Sequence, residues 1–184
     1  NIPQYGENTV AEYTFGLILV LVRKIYHSYD QIRETGKFDL VNMRGIDLQG
    51  KTLGVVGTGS IGQHVIRIAK GFGMEVLACD IYPNEQAAKD LHFEYCESAR
   101  VMRESDIVTL HVPYTPETHH LINKKNIRQI KRGAFLINTS RGQIVETTAL
   151  VEALAENHLG GAALDVMEEE GVIRDELDFL LEEN

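Results

Sequence analysis

The hexapeptide Gly57-Thr58-Gly59-Ser60-Ile61-Gly62 constrains this chain more than any other feature, because it joins an apolar, strand-like run to a segment of helical periodicity. In a strand that turns into a helix through G-x-G-x-x-G, each glycine has a separate task. The first allows the tight turn, the second lets backbone approach a phosphate, and the third lets helix and strand pack closely. The first N–H groups of the helix and its macrodipole then face the anion. Taken alone, the hexapeptide is equally an ordinary glycine-rich turn. Its surroundings say more: Lys51 to Val56 leads in as a strand, Ile61 to Phe72 follows as a helix, and Glu75 to Cys79 reads as a second strand ending on Asp80. A carboxylate at that distance suits a ribose 2′-hydroxyl, which makes the unit a dinucleotide site. No arginine or lysine adjoins Asp80, and this favours NAD over NADP, since a carboxylate repels a 2′-phosphate.

The alternation continues along the chain. Helical segments are expected at Asn84 to Leu91, Ser98 to Glu104, Lys124 to Lys131 and Thr147 to Asn157. Strands are expected at Phe93 to Tyr95, Ile107 to His111, Ala134 to Asn138 and Gly161 to Leu164. Short apolar strands separated by helices imply an α/β fold, a doubly wound parallel sheet of Rossmann type in three α/β/α layers. The expected strand order is 3-2-1-4-5-6, with ligands at the carboxyl ends of the strands. Ahead of this unit, Val10, Tyr13, Leu17, Ile18, Leu21 and Ile25 recur at helical spacing, and Thr9 with Glu12 reads as a capping box. The segment from Thr35 to Gly50 has little periodicity and reads as a connection.

Composition removes several function classes. The 184 residues suit one domain with a sizeable core, since a domain of about 150 residues buries around 70% of its unfolded surface. The net charge of −9 is local: nine of the 27 acids and one of the 18 bases lie between Asp165 and Asn184. With no basic stripe elsewhere, nucleic-acid binding through phosphate neutralisation is not expected. Cys79 and Cys96 are too few for a disulfide framework or a zinc cage, so no metal is expected and the cytoplasm is the simplest compartment. The longest apolar run, Phe15 to Val22, falls far short of the roughly 20 residues that cross a bilayer, so no membrane partner is expected. Asn1 is not an initiator methionine, and the expectation is a processed or excised piece. The stretch 171–184 reads as an acidic amphipathic tail with Leu177, Leu180 and Leu181 on one face.

Several polar groups fall at expected strand ends. Val112 and Pro113 follow His111 and could wall an adenine slot, although composition alone gives only a strand-to-loop turn. His111 itself reads as structural, and His119 and His120 as solvent-facing. Asn138-Thr139-Ser140-Arg141-Gly142 places a guanidinium at a strand end, where its planar fork can hold a substrate carboxylate or else brace a loop through carbonyl contacts. Asp165 ends the last strand and could accept from a nicotinamide carboxamide. One acid of Glu168-Glu169-Glu170 could hold a catalytic histidine as imidazolium, the others being exposed.

Taken in order, these motifs resemble the D-isomer-specific 2-hydroxyacid dehydrogenases, the D-lactate dehydrogenase group most of all. The resemblance runs nearly end to end, through Val10-Ala11-Glu12-Tyr13-Thr14, the glycine loop, His111-Val112-Pro113, Ile137 to Gly142 and Gly161 to Val166. It implies an NAD-binding domain over 1–184, with Gly57, Gly59, Ser60, Ile61 and Gly62 at the pyrophosphate and Asp80 at the adenosine ribose. Val112, Pro113 and Thr118 are implied on the adenine side, and Thr139, Ser140 and Asp165 near the nicotinamide. Arg141 matches the family's substrate-carboxylate arginine. Glu170 matches the glutamate that pairs with the catalytic histidine, though Gly171 follows it where many members have proline. The family's histidine lies in a Pro-His segment beyond the last strand, and none of the seven histidines here occupies that position. Its substrate domain is likewise absent from these residues. The resemblance also implies that residues 1–30 form a leading interdomain and dimer helix, so that a homodimer is expected, with a plain core helix as the alternative. The implied activity is hydride transfer between NAD and a small D-2-hydroxy acid, with lactate and pyruvate favoured. Phosphoglycerate or glyoxylate substrates, and an NAD-sensing corepressor-like module, stay open.

Overall fold

Leu53, Val55 and Val56 put apolar side chains on both faces of the first strand, β1 (Thr52–Val56), which therefore takes the centre of a sheet covered on both sides. The computed structural model describes residues 6–37 and 43–169. Strand β2 (Glu75–Cys79) and strand β4 (Ile107–Leu110) flank β1 in parallel, β3 (Glu94–Tyr95) extends one edge, and β5 (Phe135–Asn138) and β6 (Gly161–Leu164) extend the other. The resulting order, β3-β2-β1-β4-β5-β6, is the one expected from the alternation. Register matters most for function. Val56 pairs with Cys79 and with Leu110, Leu110 with Asn138, and Asn138 with Leu164, so the strands stop level with one another. The next residues in each chain segment, Gly57, Asp80, His111, Thr139 and Asp165, consequently line one edge.

Successive strand residues point to opposite faces, and the core divides accordingly. Leu53, Val55, Val76, Ala78 and Ile107 pack with helices α1 (Glu7–Val22) and α3 (Ser60–Gly71). Val56, Leu77, Val108, Leu110 and Leu136 pack on the other side with α5 (Ser98–Glu104) and α6 (Thr147–Ala155). A further helix, α4 (Glu85–Leu91), is capped by the Asn84 side chain, which accepts from Ala87 N at 3.0 Å.

The structure corrects the leading helix in three respects. It starts at Glu7 from Gly6, whose φ of 107° lies in the left-handed region, so Thr9 and Glu12 sit inside the helix and form no capping box. Glu12 instead accepts from Asn8 Nδ2 at 2.7 Å. The buried stripe is Ala11, Thr14, Phe15, Ile18 and Val22, while Tyr13 is exposed. This helix is apolar almost all round, so periodicity alone does not select the inward face. It also ends sooner: Lys24, at φ 54°, breaks the chain into a separate helix α2 (Ile25–Thr35), which buries none of its residues. Residues 124–131 form only a 3₁₀ turn at Ile127–Gln129. There the Asn123 and Asn126 side chains bond to local backbone, at Lys125 N, His120 O, Asn123 N and Leu121 O, and compete with helical pairing. Among the described residues, no helix is long and apolar enough to cross a membrane. The acidic tail lies outside the described residues.

Candidate functional site

The glycine loop leaves β1 with Gly57 at φ +92°, its N–H donating to Cys79 O at 2.9 Å. A Cβ there would stand 2.5 Å from His111 O, and one at Gly62 would stand 2.2 Å from Gly57 O. Both positions therefore require glycine for reasons internal to the protein. Gly59 differs, since a Cβ on it would meet no protein atom within 4 Å. It is the N-terminal flank of α3, and no side chain caps that terminus. Among the described residues, the first-turn N–H groups at Ser60 and Ile61 thus lack a side-chain partner, as an anion site at a helix N-terminus requires.

Asp80 closes the loop from the neighbouring strand. Its Oδ2 accepts from Thr58 N at 2.6 Å and Thr58 Oγ1 at 2.9 Å, and its Oδ1 accepts from Tyr82 N at 2.9 Å. Partial burial works to raise its pKa, but the Tyr82, Thr58 and Ile81 donors outweigh that, and the carboxyl is held below its ordinary value. Asp80 is thus ionised at neutral pH.

Across the edge from this loop lies a cleft of about 600 Å³. It brings together six residues singled out from the sequence, Ile61, Val112, Pro113, Thr139, Ser140 and Arg141, with Val10, His111 and Tyr114. Thr139 is anchored through its hydroxyl to the buried Thr14 of α1 at 3.0 Å. Ser140 donates through Oγ to Leu110 O at 2.6 Å and through N to Asn138 Oδ1 at 3.0 Å. Asn138 also donates to Arg141 O at 2.9 Å, so one buried amide fixes the turn that carries the guanidinium. Arg141 is exposed and donates to Ser140 O at 2.7 Å. This is a carbonyl brace through one nitrogen, and the rest of the fork is available to a carboxylate. His111 contacts Thr109 Oγ1 at 2.9 Å, and burial of its ring pushes the pKa down to about 4, so it is a neutral wall of the cleft.

Three other expected residues lie elsewhere. Thr118 Oγ1 donates to Pro113 O at 2.7 Å and accepts from Thr115 N at 2.8 Å, so its hydroxyl pins the loop that presents Val112 and Pro113. Asp165 is exposed at the end of β6, its N–H donating to Asn138 O at 3.0 Å. Glu170 lies outside the described residues.

Of the described acids in the run, Glu168 is the one that meets a histidine, and its partner, His120, was not foreseen. Glu168 is half-buried and pairs with His120 Nε2, and its other oxygen accepts from Thr147 N at 2.9 Å, at the start of α6. Burial opposes its ionisation, but the Thr147 hydroxyl and N–H and the His120 ring outweigh it and bring its pKa to about 2. His120 is therefore not solvent-facing as expected, although its stacked neighbour His119 is exposed. Glu168 ties the segment after β6 to α6 and to the loop after β4. At the same place Gly142 passes so close that a Cβ would sit 2.0 Å from Met167 O. Nothing in local sequence pairs His120 with an acid 48 positions later.

These features fit a dinucleotide: an open Gly59, an uncapped helix N-terminus, a fixed anionic Asp80 and an apolar wall of Ile61, Val112 and Pro113. Among the described residues no group of three or more His, Cys, Asp or Glu is placed to hold a metal ion. The family model described as D-isomer specific 2-hydroxyacid dehydrogenase, NAD binding domain, matches residues 15–183. D-lactate dehydrogenase of Escherichia coli strain K12 is 41% identical over 169 residues, which are 92% of this chain and 51% of that protein. A glyoxylate reductase of Korarchaeum cryptofilum is 42% identical over 180 residues, 96% of this chain and 54% of that protein. Among solved structures, D-lactate dehydrogenase of Aquifex aeolicus complexed with NAD and lactic acid superposes with a TM-score of 0.88 at 39% identity, covering 95% of this chain and 52% of that one. The chain spans about half the length of the relatives it matches.

Proposed function

We propose, on the premise that this chain belongs to the D-isomer specific 2-hydroxyacid dehydrogenase family through its NAD-binding domain, that the whole protein interconverts a small D-2-hydroxy acid and its 2-keto acid. The observation that carries the proposal is Arg141, placed by the Asn138 and Ser140 bonds on the same cleft as Ile61, Val112 and Pro113. When bound, NAD supplies the hydride acceptor and donor at its nicotinamide. The chain's own residues bind and orient. Ser60 and Ile61 N–H groups would take the pyrophosphate, Asp80 the adenosine ribose, and the Val112 and Pro113 wall the adenine, with Thr118 keeping that wall in place. Thr139, Ser140 and Asp165 would flank the nicotinamide. The Arg141 fork would grip the substrate carboxylate through parallel N–H donors and polarise the adjacent carbonyl. Glu170 would align and charge a histidine supplied from outside these residues, which exchanges the proton at the substrate oxygen.

D-Lactate and pyruvate are the favoured pair, supported by likeness to the Escherichia coli and Aquifex aeolicus enzymes. Likeness to a glyoxylate reductase at comparable identity supports a second reading, with glyoxylate as substrate. The whole protein is proposed to be a homodimer, with exposed Tyr13, Val20, Tyr26 and Tyr29 of α1 and α2 at or near the contact, and sedimentation of the whole protein tests this. Both cysteines are free, which suits the reducing cytoplasm. Steady-state reduction of pyruvate and of glyoxylate by the whole protein, each followed as NADH oxidation, decides between substrates. Arg141→Lys separates enzyme from sensor: an enzyme loses rate, whereas a substitution without effect on rate favours an NAD-sensing module.

A further inference from the structure

A buried hydroxyl has one proton, and its direction follows from its neighbours. Thr58 Oγ1 lies 2.9 Å from Asp80 Oδ2 and 2.6 Å from Tyr95 Oη. An ionised carboxylate can only accept, so the Thr58 proton goes to Asp80, and the shorter contact carries the proton of Tyr95. Tyr95 Oη in turn accepts from Asn84 N at 3.1 Å. A directed chain therefore runs from Asn84 N–H through the Tyr95 and Thr58 hydroxyls to Asp80, and Thr58 N–H adds a second donor to the same oxygen at 2.6 Å. Hydrogen bonds in series polarise one another in one direction, here toward the carboxylate.

Its members come from four places: the start of α4, strand β3, the glycine loop and the end of β2. Thr58 is buried, and the Tyr95 ring is fixed edge-on against buried Phe93 at a centroid distance of 4.9 Å. The two Thr58 donors fill Oδ2 and Tyr82 N takes one of the two sites on Oδ1, so the one accepting site left for a ligand is on Oδ1. An aspartate free to change rotamer can swing away from a 2′-phosphate and relieve the repulsion. A tethered one cannot.

We propose that Tyr95 and Thr58 are positioning residues for cofactor choice, holding Asp80 so that the free site on Oδ1 faces a ribose hydroxyl of NAD and the carboxylate cannot move aside for the 2′-phosphate of NADP. The proposal rests on the dinucleotide reading above. Fluorescence titration of the chain with NADH and NADPH tests it in wild type, Tyr95→Phe, Thr58→Val and Thr58→Ser, with folding followed by circular dichroism. Wild type favours NADH. Tyr95→Phe narrows the NADH preference by roughly threefold to tenfold, and Thr58→Val by about tenfold or more, as expected for loss of a bond to a charged group. Thr58→Ser keeps the hydroxyl and stays within about twofold of wild type. By NMR, the Asp80 carboxyl titrates higher in Thr58→Val than in Thr58→Ser. Folded Tyr95→Phe and Thr58→Val proteins with unchanged preference would overturn the proposal, as would equal losses in Thr58→Val and Thr58→Ser. Wild type that favours NADPH would overturn the underlying cofactor reading and this proposal with it.

Discussion

Asp80 and Arg141 follow strands on opposite sides of β1 in the sheet, and the protein treats them differently. Asp80 receives donors from Thr58 and Tyr82 and is tied through Tyr95 to a third segment, whereas the Arg141 guanidinium, among the described residues, bonds only to its neighbour's carbonyl. The backbone under Arg141 is nonetheless as firmly placed, through Asn138 and through Gly142 against Met167. The difference teaches where this domain finishes its work. On the Asp80 side, charge and direction are both set within these residues, and the proposed ribose contact calls on no further group. On the Arg141 side the turn is built and most of the charged fork is left open, which is the arrangement the proposed grip on a substrate carboxylate requires.

Substitutions at the glycines should break the Asp80 side most severely. Gly62→Ala drives a Cβ into Gly57 O and is expected to lower the unfolding free energy by about 1–3 kcal/mol and abolish NADH binding, measured by urea unfolding and fluorescence titration. Gly59→Ala meets no protein atom, so stability should stay within about 0.5 kcal/mol while NADH binding weakens on the order of tenfold. Equal stability losses in the two variants would show that Gly59 serves the fold and not a ligand.

Arg141→Lys probes the open side. Turnover of the whole protein should fall on the order of a hundredfold, because a point charge replaces a two-donor fork, while NADH affinity of the chain and its melting temperature hold. A parallel loss of NADH affinity would mean that the Asp80 and Arg141 sides are not separable in the way their hydrogen bonds suggest.

The smaller effects concern acid. Glu168 has a folded pKa of about 2 against an ordinary 4.5, so its contribution to stability is complete above about 4.5 and is lost as pH falls toward 2. Glu168→Gln should cost about 1 kcal/mol at pH 7 and remove that part of the acid slope in urea unfolding between pH 4.5 and 2. His111, held near 4 from an ordinary 6.5, acts in the window above. The unfolded chain takes up its proton first, so stability declines as pH falls from about 6.5 to 4. Between pH 7 and 8 it stays neutral, and NADH affinity should not follow its titration.

The Asp80 side was the more legible in sequence, and the reason is physical. The glycine spacing, the strand leading in and the acid at the next strand end are local signals, each enforced by short-range sterics or by strand register. Strand order followed because helices between short apolar runs leave parallel pairing as the ready solution. What sequence did not yield were long-range polar pairings. Glu168 with His120, Thr14 with Thr139 and Tyr95 with Thr58 join residues 37 to 125 positions apart, and each hydroxyl or acid looks like an ordinary surface group until the fold assembles it. The leading helix was misread for another reason: it carries apolar residues on nearly every side, so its buried stripe is chosen by Phe72 and the sheet, against which Phe15 stacks at 5.4 Å.

Calorimetric titration of the chain alone with NADH, and in parallel with NADPH, tests the central claim most directly. A cofactor site completed within these residues predicts saturable NADH binding at one site, with NADPH at least about tenfold weaker. Absence of NADH binding by the folded chain, or tighter binding of NADPH, would contradict it.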